Sequence, residues 1–540
     1  MEGAITTPHV LATQAGAQAY ADGGNAIDAA LAAAATLTVV YPHQCSIGSD
    51  LFALVDHGTG QVWSVNGSGA AAAHMTASAL RTRYREMPDS GPDSITVPGV
   101  IAGWGTLHNL GARLPLARLL KPAIRAAAEG VPVSGSLANG IRFRRSTLLR
   151  NAGISALFLP GGEPLSAGAA LRQPQLASTL EQLAREGLAD FYSGSIGRQL
   201  VSGLGRLDSV LSLADFAAHQ TELATPLKLD HRGVQIYASP PNSQGFMLLE
   251  TITALDALGI DIDPLGGNAR HLLLALLLSA EDRDRYLGDP RRVAMPLNDL
   301  LAPANLRQRL SEKVEGLRTR AGTTGSIPAH GDTVAVCAMD SSGIAVSLIQ
   351  SLYQTFGSGV LESETGVIFH NRARGFSLTP GAPNELVPRT RPAHTLSPVL
   401  IGRDAHTVAA LGTMGGRAQP QILAQILSGT LDPKTVLSDV LAAPRWVVGA
   451  RDLDFARQTV AIELDAPSHL DSILRIDELD VVRIAARDER VGHAQVVRLG
   501  ADGRLQAASD PRSDGTAHVC AITDKRNETA KGCGRGLDAL

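Results

Sequence analysis

The sequence predicts an α+β protein in which helices pack on stacked sheets. Two observations lead there. Between residues 97 and 288 apolar residues recur at helical spacing, whereas after residue 333 the chain turns to short Val-rich strands. The third observation excludes a plain doubly wound unit: strand and helix patterns alternate irregularly, and no Gly-rich phosphate loop joins a strand to a helix.

The elements follow in order. Thr7-Pro8-His9 leads into a helix through Tyr20, which Gly23-Gly24 ends. Asn25 is an N-cap with Asp28 in the capping-box position. The helix over 26–40 is almost wholly Ala, Leu, Ile, Val and Thr, so most of its faces should be buried. Tyr41-Pro42 stops it. Residues 46–55 read as a loop feeding a strand, and His57-Gly58-Thr59-Gly60 as the hairpin turn to a strand over 62–65. Helices are expected over 119–129, 175–185 and 271–278, the last running on to Arg283. Residues 240–245 form a turn before a helix starting near Phe246. Further helices are expected over 420–427 and 433–442, and the polar tail 525–540 should be loose.

Bulk properties narrow the function. At 540 residues the length allows two to four domains. A hydrophobic content of 44% and a charged content of 19% fit a globular protein. Aromatic residues are 4%, so the core must come from Ala, Leu, Val and Ile. A net charge of −4 offers no footprint for nucleic acid. Cys45, Cys337, Cys520 and Cys533 lack metal-ligand spacing and read as small hydrophobes, so no metal is expected. The first residues have no basic segment followed by an apolar core, and the run 29–40 is too short to span a bilayer, so a cytoplasmic location is expected.

One stretch organises the rest. Gly331-Asp332-Thr333 opens an apolar run, Val334 to Met339, that suits a strand buried on both faces. Asp340-Ser341-Ser342-Gly343 is turn chemistry, and 344–349 returns as a second strand. Upstream, 321–330 is polar and without period, a flexible arm. A threonine hydroxyl needs a base to become a nucleophile. Cutting the Asp332–Thr333 bond would supply one, because a free α-amine titrates at about 7.7–8.0 and is partly neutral near pH 7. Taken alone, this stretch favours reading Thr333 simply as the first residue of a core strand.

Seven motifs in order resemble the γ-glutamyltransferase family of N-terminal-nucleophile hydrolases. They are Gly23-Gly24-Asn25-Ala26-Ile27-Asp28-Ala29-Ala30; Val97-Pro98-Gly99 with Ala102-Gly103-Trp104; Tyr286-Leu287-Gly288-Asp289-Pro290; Thr355-Phe356-Gly357-Ser358-Gly359; Arg391-Pro392 with Ser397-Pro398; Gly415-Gly416; and Ala443-Pro444-Arg445. The resemblance implies an αββα four-layer sandwich, one compact unit. It implies self-cleavage into a large fragment, 1–332, and a small one, 333–540, that stay associated; a homodimer of the pair is left open. By position Thr333 is the nucleophile, Ser351 stands where a family Thr hydrogen-bonds it, and the Gly415 and Gly416 N–H groups match an oxyanion-stabilising pair. No cofactor is implied.

The departures bear on substrate. The family Arg for a glutamyl α-carboxylate aligns with Ser68, and the family Asp for the α-amine with Gly375. A family Gln is Arg372, a family Asn is Tyr353, and two adjacent serines are His394 and Thr395. Arg372, Arg374, His394 and Arg417 leave a pocket read as cationic and without an Asp, suited to an anion that carries no ammonium group. The surroundings of Ser351, Asn371-Arg372 and Gly415 are similar to the oxamate amidohydrolase branch, and to homologues that hydrolyse an oxalyl C–C bond. The expected donor is therefore a small, carboxylate-bearing, non-glutamyl acyl compound. A γ-glutamyltransferase or glutathione hydrolase with an altered pocket, and an unprocessed binding protein, are the alternatives.

Overall fold

The computed structural model describes residues 2–316, 331–449, 456, 458–476 and 479–522. The arm expected over 321–330 and the tail expected over 525–540 lie outside the described residues. Two sheets stack face to face. The first has seven strands, in the spatial order Thr516–Ala521, Glu2–Thr7, Gly331–Asp340, Ile344–Gln354, Asp50–His57, Val62–Gly67 and Glu222–Ala224. The second has six, in the order Leu505–Ser509, Ala494–Leu499, His406–Thr413, Val399–Arg403, Val234–Ala238 and Leu227–His231. Helices Val10–Ala21 and Ala26–Val40 cover the outer face of the first sheet. Helices Phe246–Ala257 and Gln419–Leu431 contact the second. This is the expected αββα sandwich.

Its centre is built from chain parity. In the strand Gly331–Asp340, Val334, Val336 and Ala338 join the cluster beneath the helices. Ala335, Cys337 and Met339 face the second sheet, meeting residues such as Leu396, Leu400 and Ala410. Both faces are dry, which is why this strand reads as an unbroken apolar run. Cys45 and Cys337 are buried, and burial pushes both thiols up, so they pack as hydrophobes.

The helix Ala26–Val40 is buried at all of its residues and starts with the capping box, Asn25 and Asp28 each accepting from the other's backbone. The Asp28 carboxylate also accepts the backbone N–H groups of Arg113 (2.9 Å) and Leu114 (2.9 Å), so it ties this helix to a loop far along the chain. One stretch departs from expectation. Within the region read as helical, Leu227–His231 and Val234–Ala238 form a hairpin at one edge of the second sheet. Each strand is five residues long and alternates buried with more exposed positions, too short to stand out against the flanking helical period. No helix among the described residues is long and apolar enough to cross a membrane.

The carboxylate at Asp28 has zero exposure and holds three backbone donors. Asp28→Ala is expected to cost at least about 3 kcal/mol, since each orphaned buried donor costs about 1–3 kcal/mol. Urea unfolding of the variant against wild type checks this.

Candidate active site

The strand pleat aims three side chains into the space between the sheets. Thr333 shares the parity of Ala335 and is buried. Ser351 lies on the neighbouring strand, where the pairing slips between Gln350 and Tyr353. Asp50, the first residue of the next strand, pairs directly with Ser351. Continuing the register that pairs Gln350 with Val334 sets Ser351 opposite Thr333 on the same face, and Thr333 Oγ1 donates to Ser351 Oγ at 3.0 Å. Ser351 Oγ also accepts the Tyr353 N–H at 2.8 Å. Tyr353 has φ +78°, a conformation that costs a bulky residue energy and is held by its surroundings.

Asp50 is the residue that sequence reasoning missed. The pocket read as lacking an Asp contains one, at zero exposure. It escaped notice because it sits in an ordinary strand-entry pattern, more than 300 residues from its side-chain partners. Asp50 Oδ1 accepts the N–H groups of Gly69 (3.2 Å) and Gly99 (3.3 Å). His394 Nε2 lies 3.2 Å from Oδ2, His370 Nε2 3.5 Å from Oδ1, and Arg372 Nε 3.8 Å from Oδ2. The Arg372 guanidinium stacks over the Tyr353 ring, 4.1 Å from its centroid. Burial works to raise the Asp50 pKa. His370 and the His394 hydrogen bond outweigh it and hold the carboxyl well below the usual range. Burial first, and then Arg372, push His394 down to about 3 against the pull of Asp50.

The remaining predicted residues divide into two groups. Ser68 is buried beside this cluster, its hydroxyl donating to Asn66 Oδ1 at 2.7 Å and accepting from Asn242 Nδ2 at 3.3 Å. Thr395 follows His394, and its hydroxyl is buried with no hydrogen-bond partner among the described residues. Gly415 (φ +141°) and Gly416 (φ +51°) turn the chain after the strand His406–Thr413. The φ at Gly415 favours glycine, and a Cβ there would also press on the movable tip of Ile422, 2.5 Å away. Gln244, also unforeseen, braces this turn: its Nε2 donates to the Gly416 and Thr395 carbonyls, each at 3.0 Å, and its Oε1 accepts from Arg283. Arg374 and Arg417 are turned away. Arg374 is ion-paired with Asp89 and bonded to the Met87 carbonyl, and Arg417 pairs with Asp284 at 3.4 Å.

The arrangement can therefore hold a buried hydroxyl, a glycine turn able to present backbone N–H groups, and an arginine beside a carboxylate. Stacked sheets with a hydroxyl at the head of a central strand define the architecture of an N-terminal-nucleophile hydrolase. The gamma-glutamyltranspeptidase family profile matches residues 12–520. The chain is 34% identical to the oxamate amidohydrolase proenzyme of Klebsiella pneumoniae, over 95% of this chain and 98% of that one. It is also 34% identical to the glutathione hydrolase-like YwrD proenzyme of Bacillus subtilis, over 95% and 97%. A cephalosporin acylase from Bacillus halodurans superposes with a TM-score of 0.86 at 30% identity, covering 96% of this chain and 95% of that one. The chain belongs to the gamma-glutamyltranspeptidase family and is a hydrolase of that family.

Burial lowers five imidazoles from 6.5: His9, His219 and His493 to about 4, His43 and His394 to about 3. Their unfolded forms bind protons that the folded forms refuse, so stability is full above pH 6.5 and is lost as the pH falls towards 4. Each contributes a slope of up to about 1.4 kcal/mol per pH unit. The Asp50 contribution, also a lowered pKa, is lost only below about pH 4. Urea midpoints measured from pH 7.5 to 4.5 should show a plateau followed by a steep decline.

Proposed function

We propose that this protein is a self-processing acyl hydrolase whose nucleophile is Thr333 and whose donor is a small carboxylate-bearing compound, an oxamate-like amide or an oxalyl compound. The observation that carries the reading is the buried Thr333 Oγ1–Ser351 Oγ hydrogen bond, at the head of the strand and one strand away from the Asp50–Arg372 cluster.

In the intact chain the strand runs on through Asp332 and Gly331, paired with Tyr353 and Gln354. Thr333 Oγ attacks the Asp332 carbonyl and the amide becomes an ester; water hydrolyses it. This leaves fragments 1–332 and 333–540, with a free α-amine on Thr333. That amine then takes the Thr333 hydroxyl proton as Oγ attacks the acyl donor, and passes it to the leaving group. The Gly415 and Gly416 N–H groups stabilise the tetrahedral oxyanion. Water hydrolyses the acyl ester by the same route. Arg372 holds the donor's carboxylate, and the Thr395 hydroxyl is placed to add a hydrogen bond.

A γ-glutamyl donor fits less well. A Cβ on Gly375 would stand 2.8 Å from the Ala393 carbonyl oxygen, so no acidic side chain fits there without movement. Asp50 is already engaged by the protein, accepting hydrogen bonds from the Gly69 and Gly99 N–H groups and from His394, with His370 and Arg372 at 3.5 and 3.8 Å. The substrate ammonium group is left without a counter-charge. The name of one relative, an oxamate amidohydrolase proenzyme, supports this donor, while another at the same identity is named glutathione hydrolase-like.

Denaturing mass spectrometry should find wild type split before Thr333, and Thr333→Ala intact and inactive. Fully cleaved protein should turn over oxamate-like or oxalyl compounds in preference to γ-glutamyl anilides; the opposite preference overturns the substrate reading. Arg372→Gln should raise KM for an anionic donor about 10- to 100-fold, the loss of one charge-assisted contact of about 1.5–3 kcal/mol, with steady-state kinetics as the check.

A further inference from the structure

We infer that Asp50 is a positioning residue of the pocket, orienting the Arg372 guanidinium and fixing the tautomers of His394 and His370. The inference rests on the reading above only in taking Arg372 as the group that meets the donor.

The geometry repeats one device twice. His394 Nδ1 accepts the N–H of Leu396 at 3.3 Å, and His370 Nδ1 accepts the N–H of Arg372 at 3.2 Å. A neutral imidazole whose Nδ1 accepts carries its proton on Nε2. His394 Nε2 is hydrogen-bonded to Asp50 Oδ2 at 3.2 Å, and His370 Nε2 lies 3.5 Å from Oδ1 without a hydrogen bond. A carboxylate only accepts, so it is the side chain that suits two such N–H groups and a guanidinium together. Arg372 Nε is directed at Asp50 from 3.8 Å while its flat face lies on Tyr353. The Tyr353 ring sets the face of the guanidinium, and the Asp50 charge at 3.8 Å attracts one edge of it. Tyr353 in turn donates its N–H to Ser351, the acceptor of the Thr333 hydroxyl. The orientation of the anion grip and that of the hydroxyl thus share one strand, and Asp50 pairs with Ser351 across it.

A purely structural role is distinguishable. Asp50 also holds the Gly69 and Gly99 loops through Oδ1. Asp50→Asn keeps an oxygen for those loops and puts an amide N–H₂ against His394 Nε2–H, donor against donor. His394 must then move its proton to Nδ1, in conflict with the Leu396 N–H, or turn its ring.

The test is nitrogen NMR of ¹⁵N-histidine-labelled protein, with His394 assigned by its own substitution, alongside kinetics. In wild type His394 should show the neutral Nε2–H pattern throughout pH 5–8, and in Asp50→Asn that pattern should be lost. Cleavage before Thr333 should persist in the variant. Its kcat/KM on an anionic donor should fall at least tenfold, and Asp50→Asn with Arg372→Gln should be no worse than Arg372→Gln alone. An unchanged His394 pattern, or strictly additive losses, overturns the inference. Should Asp50→Asn not fold, His394→Gln and His394→Leu decide instead. The glutamine can still donate to Asp50 and should lose severalfold less kcat/KM than the leucine, and equal losses overturn the inference. The NMR pattern is read without substrate, so failure of every oxamate-like compound would sink the donor reading alone.

Discussion

The pleat of the strand Gly331–Asp340 is the constraint on which the site depends. Because both faces of the first sheet are covered, alternate residues must enter either the helix layer or the space between the sheets. Thr333 falls on the inter-sheet side, with Ala335, Cys337 and Met339. A slip of one residue would turn its hydroxyl into the alanine-rich helix Ala26–Val40 and bring Val334 to the site. The apolar core therefore does more than stabilise the sandwich; it fixes the register that exposes one hydroxyl to its partners.

A second constraint follows from burial. Charges are expensive inside a dry sandwich and persist only when paired and hydrogen-bonded. Asp50 meets that condition with hydrogen bonds from two backbone donors and His394 and with the nearby Arg372 charge, and the Arg372 guanidinium lies against Asp50 at 3.8 Å and over the Tyr353 ring. The same reasoning explains why Arg374 and Arg417, less buried, are engaged by Asp89 and Asp284 near the surface. Cationic residues close together in sequence were thus separated by their access to counter-charges.

Much of the layer order was legible in the chain. The capping box at Asn25 and Asp28, the wholly buried helix after it, and the turn Asp340–Gly343 are local features, decided by a few neighbouring residues. The edge hairpin Leu227–Ala238 was not legible, since ten residues of weak alternation carry little signal between strong helical patterns. Thr333 and the Gly415-Gly416 turn could be singled out because they stand at family motif positions; taken alone they read as a strand start and an ordinary turn. Asp50 and Gln244 could not, because nothing about either residue's neighbours differs from an ordinary strand entry or turn.

By itself, then, the sequence determined what short-range chemistry controls: capping, turn positions, strand burial, and the family to which the motifs belong. The tertiary structure decided which charges meet. Asp50 lies more than 300 residues from the segment carrying His370, Arg372 and His394, and strand pairing and sheet stacking join them. Electrostatic partnership depends on distance through space and on dehydration, and neither is written in the spacing of residues along a chain.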